Sequence, residues 1–128
     1  MQKVSDVLKA NPREVATVTS DATVYHAIKL MDEVNFFAVA VMDNGKLVGI
    51  FTERDYARKL LLEGRSSMIT RISEIMSDKV VSVQPDQSLK DCLKMMVEHN
   101  FRHLPILDGD KLVGIVSMAD LAKAAIEI

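Results

Sequence analysis

The chain repeats itself. Slid against itself by 65 residues without a gap, the stretch 15–57 matches 80–122 at 16 of 43 positions, several times what unrelated sequences share. Such a repeat constrains the fold before any single residue does, because each copy has to be one supersecondary unit that buries its apolar face against a neighbour. A shorter likeness precedes it. "VSDVL" at 4–8 resembles "ISEIM" at 72–76, now offset by 68. The first copy therefore carries a three-residue insertion within "KANPRE".

Inside each copy the periodicities alternate. "VATV" (15–18) and "VVSV" (80–83) are short β-branched runs suited to buried strands. Asp21 and Asp86 then stand where they can cap helices over 22–34 and 87–99. Those helices carry Val24, Ala27, Ile28, Met31 and Leu89, Cys92, Leu93, Met96 at the i, i+3, i+4, i+7 spacing of a buried stripe. "FFAVAVM" (36–42) and "RHLPIL" (102–107) read as strands. "DNGK" (43–46) and "DGDK" (108–111) are hairpin turns returning into "LVGIF" (47–51) and "LVGIV" (112–116). Helices follow from Thr52 and Ser117, the first stopping near Glu63 and Gly64. Each unit is thus β-α-β-β-α, an α/β fold with one repeat at 1–64 and the other at 65–128. A domain of ~60 residues buries only ~60% of its unfolded surface. The two are therefore expected to pack through their sheets as a pseudo-twofold pair.

Charge excludes some partners. Lys and Arg number 16 against 18 Asp and Glu, and each half holds 8 basic and 9 acidic residues. Neither half offers the basic surface that neutralises a nucleic-acid backbone. No apolar run approaches the ~18–20 residues of a membrane span, and "MQKVSDVLKA" lacks the apolar centre of a signal peptide. Cys92, the single cysteine, can form no internal disulfide, which fits a cytoplasmic protein. It lies on the apolar stripe and reads as core. Three scattered histidines make no metal site; His99 and His103 are four apart, but a strand begins between them.

The most suggestive residues are Thr52-x-x-Asp55 and Ser117-x-x-Asp120. A hydroxyl at the N-cap and an acid three residues on satisfy the free N–H groups of a helix start. The same pair suits a nucleotide: an ionised carboxylate accepts both protons of a ribose diol, and a helix start favours an anion. The two roles are compatible. Arg54, in the first helical turn, has either an anion or an acidic neighbour to answer it. Arg102 and His103 read equally as a phosphate clamp or as a solvated Arg beside a half-buried His. Gly49 and Gly114, matched across the repeat, suggest close packing. No catalytic pair, dinucleotide glycine fingerprint or phosphate loop is present, so no catalysis is expected.

These elements, with "VxSVxPDxSL" (80–89), "RHLPILDGDKLVGIVS" (102–117) and the hydroxyl-x-x-Asp endings, resemble the cystathionine-β-synthase-type (CBS) repeat. A pair of such repeats forms a Bateman module. The resemblance covers nearly the whole chain and implies a regulatory sensor. Its ligand would be an adenosine compound (AMP, ADP, ATP, S-adenosylmethionine or NAD) in the cleft between repeats, with no cofactor required. It maps ribose binding onto Asp55 and Asp120, and the nearby hydroxyl onto Thr52 and Ser117. Strand starts of the opposite repeat would add Val80, Val81 and Ser82 to one pocket and Ala16, Thr17 and Val18 to the other. Phosphate would meet the basic pair Arg102 and His103, which stands in the reverse of the family's His-Arg order; Phe37 and Ala38 replace it in the first repeat, where Arg54 is the candidate that its place in the helical turn suggests. The resemblance also implies a flat homodimer, for which Val4, Val7, Leu8, Tyr56, Leu60, Leu61, Leu121, Ala124, Ala125 and Ile128 are candidate contacts. An unidentified regulated protein would be the partner. The alternative is an interaction domain in which one or both nucleotide sites are lost.

Overall fold

The hairpins form because their turns supply the backbone they need. Asn44 and Gly45 take φ of 52° and 77°, the left-handed pair that a two-residue hairpin loop demands. They join β2 (Ala38–Asp43) to β3 (Lys46–Thr52). In the second copy Gly109, at φ 62°, turns β4 (His103–Asp108) into β5 (Lys111–Ser117). Both hairpins carry a register shift at equivalent places, between Val41 and Met42 and between Ile106 and Leu107. The computed structural model describes residues 2–127, so Ile128 of the expected dimer contacts lies outside the described residues.

The long helices, α2 (Val24–Val34) and α5 (Leu89–His99), start two residues later than Asp21 and Asp86 suggest. Thr23 and Ser88 cap them instead, accepting hydrogen bonds from the N–H groups of His26 and Asp91. A shorter hydroxyl side chain serves that geometry equally well, and Asp21 is engaged by the Thr19 hydroxyl. Both helices end on an asparagine in the left-handed conformation, Asn35 and Asn100.

β1 (Thr17–Val18) runs parallel to β2. Its expected counterpart over 80–83 shrinks to a single bridge between Val83 and Ile106. The reason lies in β4. Ala40 donates its N–H to the Ala16 carbonyl at 3.0 Å; the matching residue is Pro105, which has no N–H to give the Val81 carbonyl.

The third helix also departs from expectation. α3 (Glu53–Asp55) passes directly into a π-helical turn over Tyr56–Leu61. The widened ladder is visible where Leu62 donates to the Ala57 carbonyl. α6 (Met118–Ile126), its counterpart, is an ordinary α-helix.

The compact units and the sequence repeats divide the chain differently. One unit is Glu14–Val80; the other joins Met1–Arg13 to Val81–Ile128. The leading helix α1 (Val4–Ala10) buries Val4 and Val7 with Val83, Cys92, Leu104 and Leu121. The matching α4 (Ile72–Ile75) buries Ile72 and Ile75 with Val18, Val24, Phe51 and Leu60. Each leading helix therefore completes the core of the other sequence repeat. The matched glycines show why they are glycines. A Cβ on Gly114 would come within 2.6 Å of Leu8 Cδ2, and one on Gly49 within 2.6 Å of Met76 Sδ. Leu8 and Met76 are themselves equivalent across the repeat.

Candidate functional site

In the unit Glu14–Val80, β3 ends at Thr52 and delivers its hydroxyl to the start of α3. The Asp55 carboxylate turns back, accepting from the Thr52 N–H at 3.0 Å and from the Thr52 hydroxyl at 3.3 Å. It is only 7% exposed. Its other oxygen accepts from the Ser77 hydroxyl at 3.2 Å and pairs with Lys59 at 3.1 Å. Arg54 sits exposed in the same turn. At β1, Val18 and the preceding Ala16 are buried in the core while Thr17 is exposed. Phe37, at the position matching Arg102, is half exposed and helps line an open, mainly apolar pocket of about 240 Å³ with Ile28, Met31, Asp32, Glu53 and Tyr56.

The other unit builds the same box with different company. Asp120, also 7% exposed, accepts from the Ser117 N–H at 2.9 Å, and the Ser117 hydroxyl accepts from the Asp120 N–H at 3.1 Å. Arg13 then closes on the carboxylate through both arms of its guanidinium, Nη1 to Oδ2 at 2.8 Å and Nη2 to Oδ1 at 2.7 Å. Burial alone would raise the Asp120 carboxyl, but Arg13 and the Ser117 N–H together hold it below its ordinary value. His103 pairs across the hairpin with Ser117. Burial pushes its imidazole down to about 4, against the pull of Asp120 and reinforced by the charges of Arg13 and Arg102. At neutral pH His103 is therefore an uncharged donor and acceptor rather than a cation. Arg102 is exposed, and Val81 and Ser82 are half buried.

Within each unit the capping hydroxyl and the carboxylate thus come together. Val80 falls in the unit of Asp55, while Val81 and Ser82 fall in that of Asp120. Sequence reasoning missed the partners of the two carboxylates, Arg13, Ser77 and Lys59. A signal for Arg13 was present: it lies in the segment that carries the insertion. Cys92 is fully buried, and burial raises its thiol to about 11 with a further push from Asp91, as a core residue requires. Among the described residues no cluster of His, Cys, Asp and Glu could hold a metal ion, and no helix is long and apolar enough to cross a membrane.

The CBS-domain family profile matches residues 4–62 and again 72–127. The chain belongs to the CBS-domain family. It is 40% identical to the CBS domain-containing protein YhcV of Bacillus subtilis over 122 residues, covering 95% of this chain and 84% of that protein. A solved protein with CBS domains from Burkholderia ambifaria is 50% identical, with a TM-score of 0.93 over 98% of this chain and 95% of that one. The CBS domain pair of protein MJ0100, solved in complex with 5-methylthioadenosine and S-adenosyl-L-methionine, is 27% identical with a TM-score of 0.88, covering 99% and 98% of the two chains. The α/β architecture and the tandem CBS repeats expected from the sequence are both present.

Proposed function

We propose that this CBS pair is a regulatory module that binds adenosine-containing nucleotides without turning them over. The observation that carries the reading is the pair of hydroxyl-x-x-Asp boxes, each holding a carboxylate only 7% exposed beside its capping hydroxyl. The chain's own donors now use the lone pairs of these acids, and a ribose diol is a fitting replacement for the donors that can give way. Support comes from the MJ0100 CBS pair and its two adenosine ligands. Pro105 adds to it, since it leaves the Val81 carbonyl without a strand partner at that point and so able to receive an amine such as that of adenine.

The sites are unequal in this reading. Asp120 has Arg102 near it, whereas Asp55 faces a neighbourhood in which Phe37 replaces that cation. A phosphorylated ligand such as AMP or ATP favours the first, with Thr52, Arg54 and Asp55 forming the weaker site. Val80, Val81, Ser82, Ala16 and Val18 contribute backbone. The module acts as a homodimer, using apolar residues that the units leave exposed, among them Phe37, Leu61 and Leu62. Val4, Val7, Leu60, Leu121 and Ala124 are buried in the chain's own cores and are not available for it.

Calorimetric titration with AMP, ADP, ATP, NAD, S-adenosylmethionine and 5-methylthioadenosine tests the reading. Micromolar binding that is lost in the Asp120→Asn variant is expected. A ligand at about 100-fold its Kd adds about 2.7 kcal/mol of stability, visible as a rise of several degrees in Tm. Silence from every compound in both measurements would leave the second reading, an interaction domain whose sites are lost, which the apolar Phe37 and Ala38 favour for one site.

A further inference from the structure

We propose that Arg13 is an internal occupant of the Asp120 carboxylate, a gate that has to withdraw before the diol of an adenosine ribose is accepted there. This rests on the nucleotide reading above and adds a device to it. An ionised carboxylate offers about four acceptor positions. On Asp120, Arg13 takes one on each oxygen and the Ser117 N–H takes a third. A diol needs two. Ribose and guanidinium therefore compete for the same lone pairs.

The contrast with Asp55 sets the gate apart from ordinary satisfaction of a buried acid. There the corresponding donors are the neutral hydroxyl of Ser77 and Lys59, whose side chain is 44% exposed. A ribose hydroxyl replaces a hydroxyl almost evenly. Displacing a two-armed guanidinium from a carboxylate 8% exposed is another matter, because charge-assisted bidentate pairs are among the strongest hydrogen bonds in proteins. Arg13 has the means to leave. Its side chain is 21% exposed, and it sits on the irregular segment between α1 and β1, outside any helix or strand. Its contact with the backbone carbonyl of Ile115, at 3.4 Å, is long. Because the segment carries the insertion, only one of the two carboxylates is gated. The apparent affinity of that site is the intrinsic affinity reduced by the fraction of molecules in which Arg13 has withdrawn.

The test is titration of adenosine, which has the diol and no phosphate, into proteins carrying Asp55→Asn so that only the Asp120 site reports. Arg13→Ala should bind adenosine at least about tenfold more tightly than the protein with Arg13, since the competing pair is gone. Adding Asp120→Asn should abolish that gain. If Arg13→Ala fails to fold, Arg13→Lys keeps the charge, loses the fork and should still gain. Equal or weaker adenosine affinity without the fork overturns the gate while leaving the nucleotide reading intact. Absence of binding by all variants overturns both.

Discussion

One imidazole makes the stability of this protein fall as the solution is acidified. His103 is half buried in its neutral form, with its pKa lowered to about 4 against 6.5 for the free side chain. Between these values the unfolded chain binds the proton that the folded chain refuses, so stability rises with pH. The contribution is complete above about pH 6.5 and declines as the pH falls towards 4, with about 2 kcal/mol gone by pH 5. Urea midpoints at pH 5 and pH 7 should differ accordingly in the native protein and much less in His103→Gln; identical pH dependence in the two would refute this. Asp120 titrates lower and is lost only in stronger acid, since its carboxyl is held below 3.8. With His103 uncharged at neutral pH, Arg102 is the exposed cation beside this site that can meet a phosphate. Arg102→Ala should therefore weaken AMP more than adenosine, and equal losses would place Arg102 away from the phosphate. The capping hydroxyls are also graded. Ser117 accepts the N–H of Asp120 at 3.1 Å, Thr52 that of Asp55 at 3.5 Å. Ser117→Ala should cost about 1 kcal/mol and Thr52→Ala less, as denaturant titration would read.

At the level of elements, the tightest joints are a helix end on a strand glycine. Gly114→Ala drives a methyl into both Leu8 methyl groups, at 2.6 and 2.7 Å, and overpacking of this kind costs about 1–3 kcal/mol. Combining it with Leu8→Ala should recover part of that loss, whereas strictly additive losses would mean that the two do not touch. The hairpins, the long helices and the hydroxyl-x-x-Asp boxes were legible in the sequence because each rests on local chemistry: positive-φ turn residues, an apolar stripe, a cap. What was not legible depended on partners far along the chain. The strand at 80–83 has ample β-branched character, yet it fails because Pro105 cannot donate to it. The caps moved from Asp21 and Asp86 to Thr23 and Ser88 by one small choice among neighbouring oxygens. Arg13 and Asp120 are 107 positions apart, a distance that no spacing rule bridges. The π-helical turn after Asp55 has no sequence signal that distinguishes Tyr56–Leu61 from the ordinary helix that follows Ser117.

The whole molecule is organised by the leading helices. Residues 14–80 hold one core, with α4 in place, whereas 1–64 lacks α4 and carries α1 without its core. A fragment of residues 14–80 should therefore give dispersed amide resonances and resist proteolysis, and 1–64 should not; the reverse would contradict the division into units. Exposed Leu61 (58%) and Leu62 (80%) at the end of the π-helical turn leave an apolar edge on that unit, the kind of surface that a twofold contact uses twice. Light scattering after size exclusion should give twice the chain mass, and replacing both leucines by serine should return a monomer without loss of helix content.

The position of α1 also sets an order of events at the ribosome. The helix emerges before the core it belongs to, since Val83, Cys92 and Leu104, against which it packs, are made only after the whole of Glu14–Val80. At about 5–20 residues per second, its apolar face waits several seconds in the open while Glu14–Val80 is already complete. Contacts of such long sequence separation form slowly. Nascent chains stalled before residue 81 should hence display a folded core beside a loose, amphipathic leader, and that leader is where a chaperone has something to hold.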